Sequence, residues 1–531
     1  MEALRNPPNA GRWVAQASTH PTKHIMAKAY LVGAGPGDPG LLTLRAVECL
    51  REAHFVLYDY LTNPRTLDFA RPDAERFRVT QFPGTHAERW QHIPQKIIDE
   101  VRKGKVVVHL KGGDPLVFGR GAEEAEALRQ AGIPYEIVPG VTAALAAAAC
   151  ADIPLTHRAH SSAVALVTGH EDPDKSESHL DWGTLAHFPG TLAIYMGVTQ
   201  LGHITGGLLA GGMSPEMPAA LVYRASTGEQ RSVAAPLGQL EERVRAAGLG
   251  RPSLALLGPA VGLKPGISWF ESRPLFGMRV VVTRPREQAI ALIRRLEVLG
   301  AVPILLSAIE VRPPADWGPA DVAIRRLRDG GYNWVVFTSA NGVNSFLDRL
   351  AVLGLDARTF GRSQIAAIGS ATATALADRH LVPDLVPTEE MHSERLAELL
   401  TERCRGGRVL LAQAVQGRAL LRDVLSAVAT VEVAPVYDQA VSIDGTEDVL
   451  DGLRRGDVDA VTLTSPNIAA AFLGACDETI RLRFRDGTTR LVVNSERLAK
   501  VLEGEGLPSV VAPDPTVEGL INALMALRPG H

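Results

Sequence analysis

Val32-Gly33-Ala34-Gly35-Pro36-Gly37-Asp38-Pro39-Gly40 is the stretch that decides the fold of the first half of the chain. It follows the strand-like run Ala29–Val32, so it sets exposed backbone at the carboxyl end of a strand, where open α/β sheets bind ligands. A second string, Leu110-Lys111-Gly112-Gly113-Asp114-Pro115, follows Val106–Leu110 in the same way. The first string comes close to G-x-G-x-x-G, but Asp38 stands where the third glycine is required. A carboxylate there repels a pyrophosphate at a helix N-terminus. The pair therefore predicts an uncharged or cationic ligand, not a dinucleotide.

Outward from these strings, strands and helices alternate. Tyr30–Val32, Phe55–Tyr58, Val106–Leu110, Ile137–Val138, Ala163–Thr168 and Thr191–Met196 read as strands, with helical patterns such as Leu42–Ala53 and Gly121–Ala131 between them. That alternation predicts an α/β protein with largely parallel sheets. Leu263–Pro274 breaks the rhythm and reads as a linker. Beyond it lies an internal repeat with a period of about 125 residues, the length of a duplicated small domain and too long for a solenoid. Val335-Val336-Phe337-Thr338-Ser339-Ala340-Asn341 is echoed by Val461-Thr462-Leu463-Thr464-Ser465-Pro466-Asn467. Two flavodoxin-like lobes facing one another across a cleft are expected.

At 531 residues the chain exceeds what one core supports. A formal charge of −4 argues against nucleic acid or an anionic membrane as partner. Cys49, Cys150, Cys404 and Cys476 are far apart and form no C-x-x-C, so they read as buried apolar residues of a cytoplasmic protein. Residues 1–26 lack an apolar signal core and read as a disordered extension, and no apolar run is long enough to span a bilayer. His86, His157 and His170 flank the glycine motifs without metal-like spacing, so no metal is expected.

The glycine strings, together with Tyr58-Asp59, Val138-Pro139-Gly140-Val141-Thr142-Ala143 and Tyr195-Met196-Gly197 in that order, resemble the tetrapyrrole methylase family, and within it the uroporphyrinogen-III C-methyltransferases. Over residues 277–531 the chain resembles uroporphyrinogen-III synthase, on Val281-Val282-Thr283-Arg284-Pro285, Phe337–Val343, Ala367–Ala373, Pro435-Val436-Tyr437 and Leu463–Asn467. The resemblance implies a two-lobed methylase fold over 27–270 and a linker at 271–276. A two-lobed synthase fold follows, one lobe from 277–310 plus 438–531 and the other from 311–437.

For the methylase half the resemblance implies S-adenosylmethionine as methyl donor, held by Pro36, Gly112, Gly113, Asp114, Val117, Thr142, Ala143, Met196 and Ala225. Glycines suit close approach of a ligand to the backbone; for Met196, core packing is the competing reading. Asp59 matches the residue that accepts the proton displaced from the ring, with a turn cap as the alternative. Relatives carry a lysine where Gln81 stands here, and an amide gives up no proton; a net C–H loss requires a base more than an acid. Arg45, Lys111, Arg120 and Arg158 are candidates to meet substrate carboxylates.

For the synthase half no cofactor is implied. Thr338, Ser339, Ser370, Thr464 and Ser465 follow strands and would hold substrate carboxylates, or would cap helices. Tyr437 is implied to assist departure of the hydroxyl. Val493-Asn494-Ser495-Glu496-Arg497, the second copy of Ile368-Gly369-Ser370-Ala371-Thr372, lacks the glycine and adds an acid. The expectation is a bifunctional enzyme of cobalamin or sirohaem biosynthesis, commonly a homodimer through the methylase half. It would close hydroxymethylbilane to uroporphyrinogen III and methylate that twice to precorrin-2. Two alternatives stay open: a non-catalytic tetrapyrrole-binding or regulatory C-terminal module, and a methylase acting on RNA or a protein histidine.

Overall fold

The computed structural model describes residues 26–170, 180–387, 393–443 and 446–528, the side chains of residues 86 and 87 apart. Residues 1–25 of the expected extension and the side chain of His86 lie outside the described residues. The chain divides into two compact units, Met1–Arg273 and Pro274–His531.

In the first unit, β1 (Ala29–Gly33), β2 (Phe55–Tyr58), β3 (Glu75–Arg78), β4 (Val107–Lys111) and β5 (Tyr135–Val138) form an all-parallel sheet in the order β3-β2-β4-β1-β5. Both faces are covered, as parallel sheets require. Tyr30, Val32, Val56, Val108 and Leu110 pack under the helix Leu44–Glu52. Leu31, Leu57 and Val107 pack under the helices His86–Arg102 and Gly121–Gln130. Every strand of this sheet stops on the side where the glycine strings begin.

A second sheet holds β6 (Val164–Thr168), β7 (Thr191–Tyr195), β8 (Pro218–Tyr223), β9 (Arg231–Pro236) and β10 (Ser253–Leu257), in the order β6-β7-β10-β8-β9. Here the expectation of parallel strands fails. Only β6 and β7 run parallel; β10 opposes both β7 and β8, and β8 opposes β9. The short connection 224–230 returns the chain antiparallel at once, with no room for a crossover helix. Within the stretch read as a linker, Trp269 donates from Nε1 to the Ala149 carbonyl (2.8 Å) and from its backbone N–H to Asp152 (2.9 Å), and Phe270 is buried. That part of the stretch is thus docked on the first unit.

In the second unit, β11 (Arg279–Val282), β12 (Val302–Leu305), β18 (Ala460–Leu463), β19 (Arg490–Val493) and β20 (Ser509–Val511) make a parallel sheet ordered β12-β11-β18-β19-β20. The other sheet, ordered β13-β17-β16-β14-β15, contains β13 (Ile309–Arg312), β14 (Trp334–Phe337), β15 (Gln364–Ala367), β16 (Arg408–Ala414) and β17 (Thr430–Val441). It is parallel except where β13 lies against β17. Both chain crossings run inside these two strands, Ile309 pairing with Val441 and Arg312 with Asp438.

Candidate functional sites

At the carboxyl edge of the parallel sheet, three backbones converge. A Cβ on Gly33 would meet Gly140 at 2.5 Å and the Gly113 carbonyl at 2.7 Å, and one on Gly140 would meet that carbonyl at 2.2 Å. These two glycines are needed for the backbones to touch. Gly35 and Gly113 exchange backbone hydrogen bonds of 2.8 and 3.2 Å, which clips the two glycine strings together. Gly112 differs: a Cβ there would meet only Leu61 Cβ, at 3.5 Å. Apart from Leu61, the space a side chain would take at Gly112 is open, and Gly113, at φ +68°, shapes the turn beside it.

Asp114 is not a free carboxylate. It accepts backbone N–H groups from Leu116 (2.8 Å) and Gly140 (3.0 Å), locking the turn onto the strand-end loop 139–142. Asp38 likewise accepts the Gly40 N–H (2.7 Å) and caps the short helical turn Pro39–Leu41. Pro36 is half-buried beside it. Thr142 and Tyr195 share a 2.7 Å hydrogen bond, and the Tyr195 hydroxyl accepts the Ala144 N–H (3.1 Å) at the start of the helix Ala143–Ala151. Val117, Ala143 and Ala225 pack on one cluster with Tyr195 and Val222.

Met196 follows β7 with 45 % of its surface exposed, which removes the core-packing reading. Its φ is +55°, and Arg224 (+45°) and Ser226 (+66°) flank Ala225 in the same left-handed region. Phe118 (+53°) and Arg120 (+57°) follow the second glycine string. Non-glycine residues in that region cost about 1–3 kcal/mol each and cluster where function holds them. Five such residues thus fall in the loops that carry Val117, Met196 and Ala225.

Asp59 directly follows β2 and is 8 % exposed. One carboxylate oxygen lies 3.3 Å from His109 Nε2, and the other accepts the Gly112 N–H at 3.4 Å. His109 Nδ1 lies 2.7 Å from Glu124, whose other oxygen receives the Lys111 ammonium. Burial pushes the Asp59 carboxyl up, but the hydrogen bond and charge of His109, with Lys111, hold it below its ordinary range. Glu124 is lowered despite its burial by the same two cations. Neither His109 nor Glu124 was singled out from sequence. The signal was available: His109 and Lys111 sit two apart in a strand otherwise apolar, so both share one buried face and require acidic partners.

This placement removes Lys111 from the cations open to substrate carboxylates. Arg45 is removed too, since it pairs with Glu136 and Glu48. Arg158 is exposed, and Arg120, also exposed, lies 3.5 Å from Glu123. Gln81 accepts the Arg78 N–H (2.7 Å) and completes a local turn.

In the second unit, Ser339 and Ser465 each accept a backbone N–H of the helix that follows, from Gly342 (3.0 Å) and Ile468 (3.2 Å). Both therefore cap helices. Ser339 Oγ also meets the buried Tyr437 hydroxyl at 3.0 Å, and burial pushes that phenol up. Thr338 and Thr464 precede these caps, half-buried, and Ser370 opens the helix Ser370–Asp378. The degraded repeat is corrected by the register. Val493 ends β19 as Ala367 ends β15, so Ser495, the cap of Glu496–Gly504, stands where Gly369 caps its helix. Gly369 has φ −177° and Ser495 −162°, extended backbone open to any residue, so glycine is not required there.

A cavity of about 840 Å³ opens between the two sheets of this unit, lined by Gln288, Ser307, Arg312, Asn341 and Arg349 among others. None of the six residues expected to act here lines it. Gln288 bonds Asn341 (2.6 Å) from one lobe to the other, and Asn467 bonds Gln439 (2.8 Å) at the end of β17. Arg284, after β11, donates to Thr464 Oγ1 (3.1 Å). No acidic partner faces it among the described residues, and burial pushes its guanidinium down.

The model of the tetrapyrrole (corrin/porphyrin) methylases matches residues 28–241, and that of uroporphyrinogen-III synthase HemD matches residues 290–522. The porphyrin biosynthesis protein HemD of Ruminiclostridium josui is 33 % identical over 94 % of this chain and 98 % of its own. The uroporphyrinogen-III C-methyltransferase of Bacillus subtilis is 36 % identical over 68 % of this chain and 74 % of its own. The Thermus thermophilus uroporphyrin-III C-methyltransferase, solved with S-adenosyl homocysteine, is 40 % identical, covers 44 % of this chain and 93 % of its own, and has a TM-score of 0.38.

Proposed function

The chain belongs to the tetrapyrrole (corrin/porphyrin) methylases joined to uroporphyrinogen-III synthase, and on that premise we propose that its two units perform consecutive steps on one macrocycle. It is a bifunctional enzyme of tetrapyrrole biosynthesis. The second unit closes hydroxymethylbilane to uroporphyrinogen III, and the first methylates that ring twice to precorrin-2.

S-adenosylmethionine, the methyl donor of this family, supplies an electrophilic methyl group. The observation that supports its seat here is the open space at Gly112, bounded by a turn that Asp114 and Gly35 hold rigid. Gly113, Thr142 and Ala143 form the near wall, with Pro36, Val117, Met196 and Ala225 completing it. Asp59, tied to Gly112 through its N–H, accepts the proton that the methylated, cationic macrocycle loses from the bridging carbon beside the new methyl group. Arg120 and Arg158 are the exposed cations for the ring's carboxylates.

In the second unit the work is conformational: the linear tetrapyrrole is folded so that closure with inversion of the last ring outruns spontaneous closure. Arg284 anchors a carboxylate beside Thr464, and Tyr437, Ser339, Thr338, Ser370 and Ser465 supply hydroxyls. With Ser495 taking the place of Gly369, the altered repeat no longer argues for an inert module. The protein acts in the cytoplasm as a homodimer through its first unit.

Supplying hydroxymethylbilane and S-adenosylmethionine under anaerobic conditions tests the whole reading by mass analysis of products. A type III macrocycle carrying two added methyl groups is expected; type I product alone, or unmethylated type III, overturns one step or the other.

A further inference from the structure

Four charged side chains lie buried in the first unit and form one continuous line. Asp59 is 8 % exposed, Glu124 3 %, and His109 and Lys111 not at all. They come from three elements: the end of β2, strand β4, and the helix Gly121–Gln130. Two anions and two cations sum to zero, which is the condition under which buried charges persist. Both imidazole nitrogens face carboxylate oxygens, at 3.3 and 2.7 Å, so both donate and the ring is the imidazolium. Lys111 Nζ rests 4.9 Å from the centre of the Trp90 ring, which closes the far end from the helix His86–Arg102.

A lock for the core alone would be sealed on every side. This line has one outlet: Asp59 reaches the rim, and its second oxygen holds the N–H of Gly112, the residue that keeps the ligand space open. We propose that His109 is a positioning residue for methyl transfer, its Nε2–H aiming the Asp59 carboxylate while Glu124 and Lys111 keep the imidazole fixed and charged. This rests on the reading of Asp59 as the base. The ring-carbon–methyl bond forms as the sulfonium S–CH3 bond breaks, releasing S-adenosylhomocysteine. The fully substituted ring carbon holds no hydrogen, so the proton leaves the neighbouring bridging carbon for Asp59. That C–H electron pair neutralises the cationic ring as a new double bond. His109 keeps both of its protons, and Asp59 later releases its own to water.

The groups facing His109 are Asp59 from β2, Lys111 from its own strand and Glu124 from the helix; Tyr60 adjoins Asp59, and its phenol is pushed up by burial and by the Asp59 charge. With a cation beside it, Asp59 stays ionised to lower pH, so the acid limb of methyl transfer lies below the ordinary carboxylate range. Removing that cation raises the limb.

The test is the pH profile of kcat for methylation of uroporphyrinogen III, supplied directly to the full chain, for wild type, His109→Gln, Glu124→Gln and Asp59→Asn. His109→Gln and Glu124→Gln are expected to move the acid limb up by about one pH unit or more. KM and the Kd for S-adenosylhomocysteine are expected to stay within a factor of about three, where loss of the Gly112 turn would raise them. Unmoved acid limbs, with Asp59→Asn inactive, overturn the proposal and leave Asp59 as the base. An Asp59→Asn variant as fast as wild type overturns the reading of Asp59 itself, and this inference with it. Should His109→Gln fail to fold, Glu124→Gln alone decides.

Discussion

Met196 shows how a single residue separates stability from activity. At φ +55° only glycine is relaxed, so Met196→Gly should be more stable than Met196→Ala by about 1 kcal/mol, read by thermal melting. Both variants remove the side chain and should lose methyl transfer alike. Asp59→Asn keeps an acceptor for the Gly112 N–H but removes the base, so a loss of about 10²–10⁴-fold in kcat is expected with S-adenosylhomocysteine binding intact by calorimetry. Arg284 predicts the opposite pairing. It is a half-buried cation facing no acid among the described residues, and its burial pushes the guanidinium down, so Arg284→Met should leave the melting temperature unchanged or raise it. The KM for hydroxymethylbilane should rise roughly 10–100-fold, the worth of a hydrogen bond to a charged group. At this scale the sequence was informative about turns and poor about partners. Asp38 and the glycines disclosed a ligand turn because their chemistry is local. His109 and Glu124 stayed hidden because their pairing spans 15 residues and needs the strand-to-helix register.

Among elements, the helix Ala143–Ala151 begins with Thr142, which caps nothing itself. The Tyr195 hydroxyl takes that duty, so Tyr195→Phe should destabilise the first unit by about 1–2 kcal/mol and weaken S-adenosylhomocysteine binding together, measured by melting and calorimetry. The buried line of charges gives the unit a pH optimum. Asp59 and Glu124 are lowered, so their stabilisation is complete above the ordinary carboxylate range and is lost as pH falls through it and below. His109 is raised, so its contribution is complete below about 6.5 and is lost as pH rises through its folded value. Melting temperature against pH should peak between these limits, and His109→Gln should flatten the alkaline fall. Most parallel strands of the first unit were legible because β-branched runs such as Val106–Leu110 precede glycine turns, and Val107–Lys111 is the strand found; β3, the charged Glu75–Arg78, was not. Strands β8, β9 and β10 were not, since alanine-rich Pro218–Tyr223 and Arg231–Pro236 carry weak strand character. Their antiparallel course follows from a short return loop that periodicity does not report. The register at β15 and β19 likewise needed coordinates, because sequence alignment matched Gly369 with Asn494 instead of Ser495.

For the whole molecule, two compact units of similar size place two chemistries on one chain, so the ring made by one is produced at high local concentration near the other. The homodimer we propose should show by light scattering a mass of about twice 56.8 kDa. All of this depends on where the methyl donor sits. Crystals grown with S-adenosylhomocysteine are the direct measurement: the account predicts the ligand against Gly112, Ala143, Met196 and Ala225, with Asp59 still holding the Gly112 N–H. Ligand bound elsewhere on the chain, or none at saturating concentration, would contradict it.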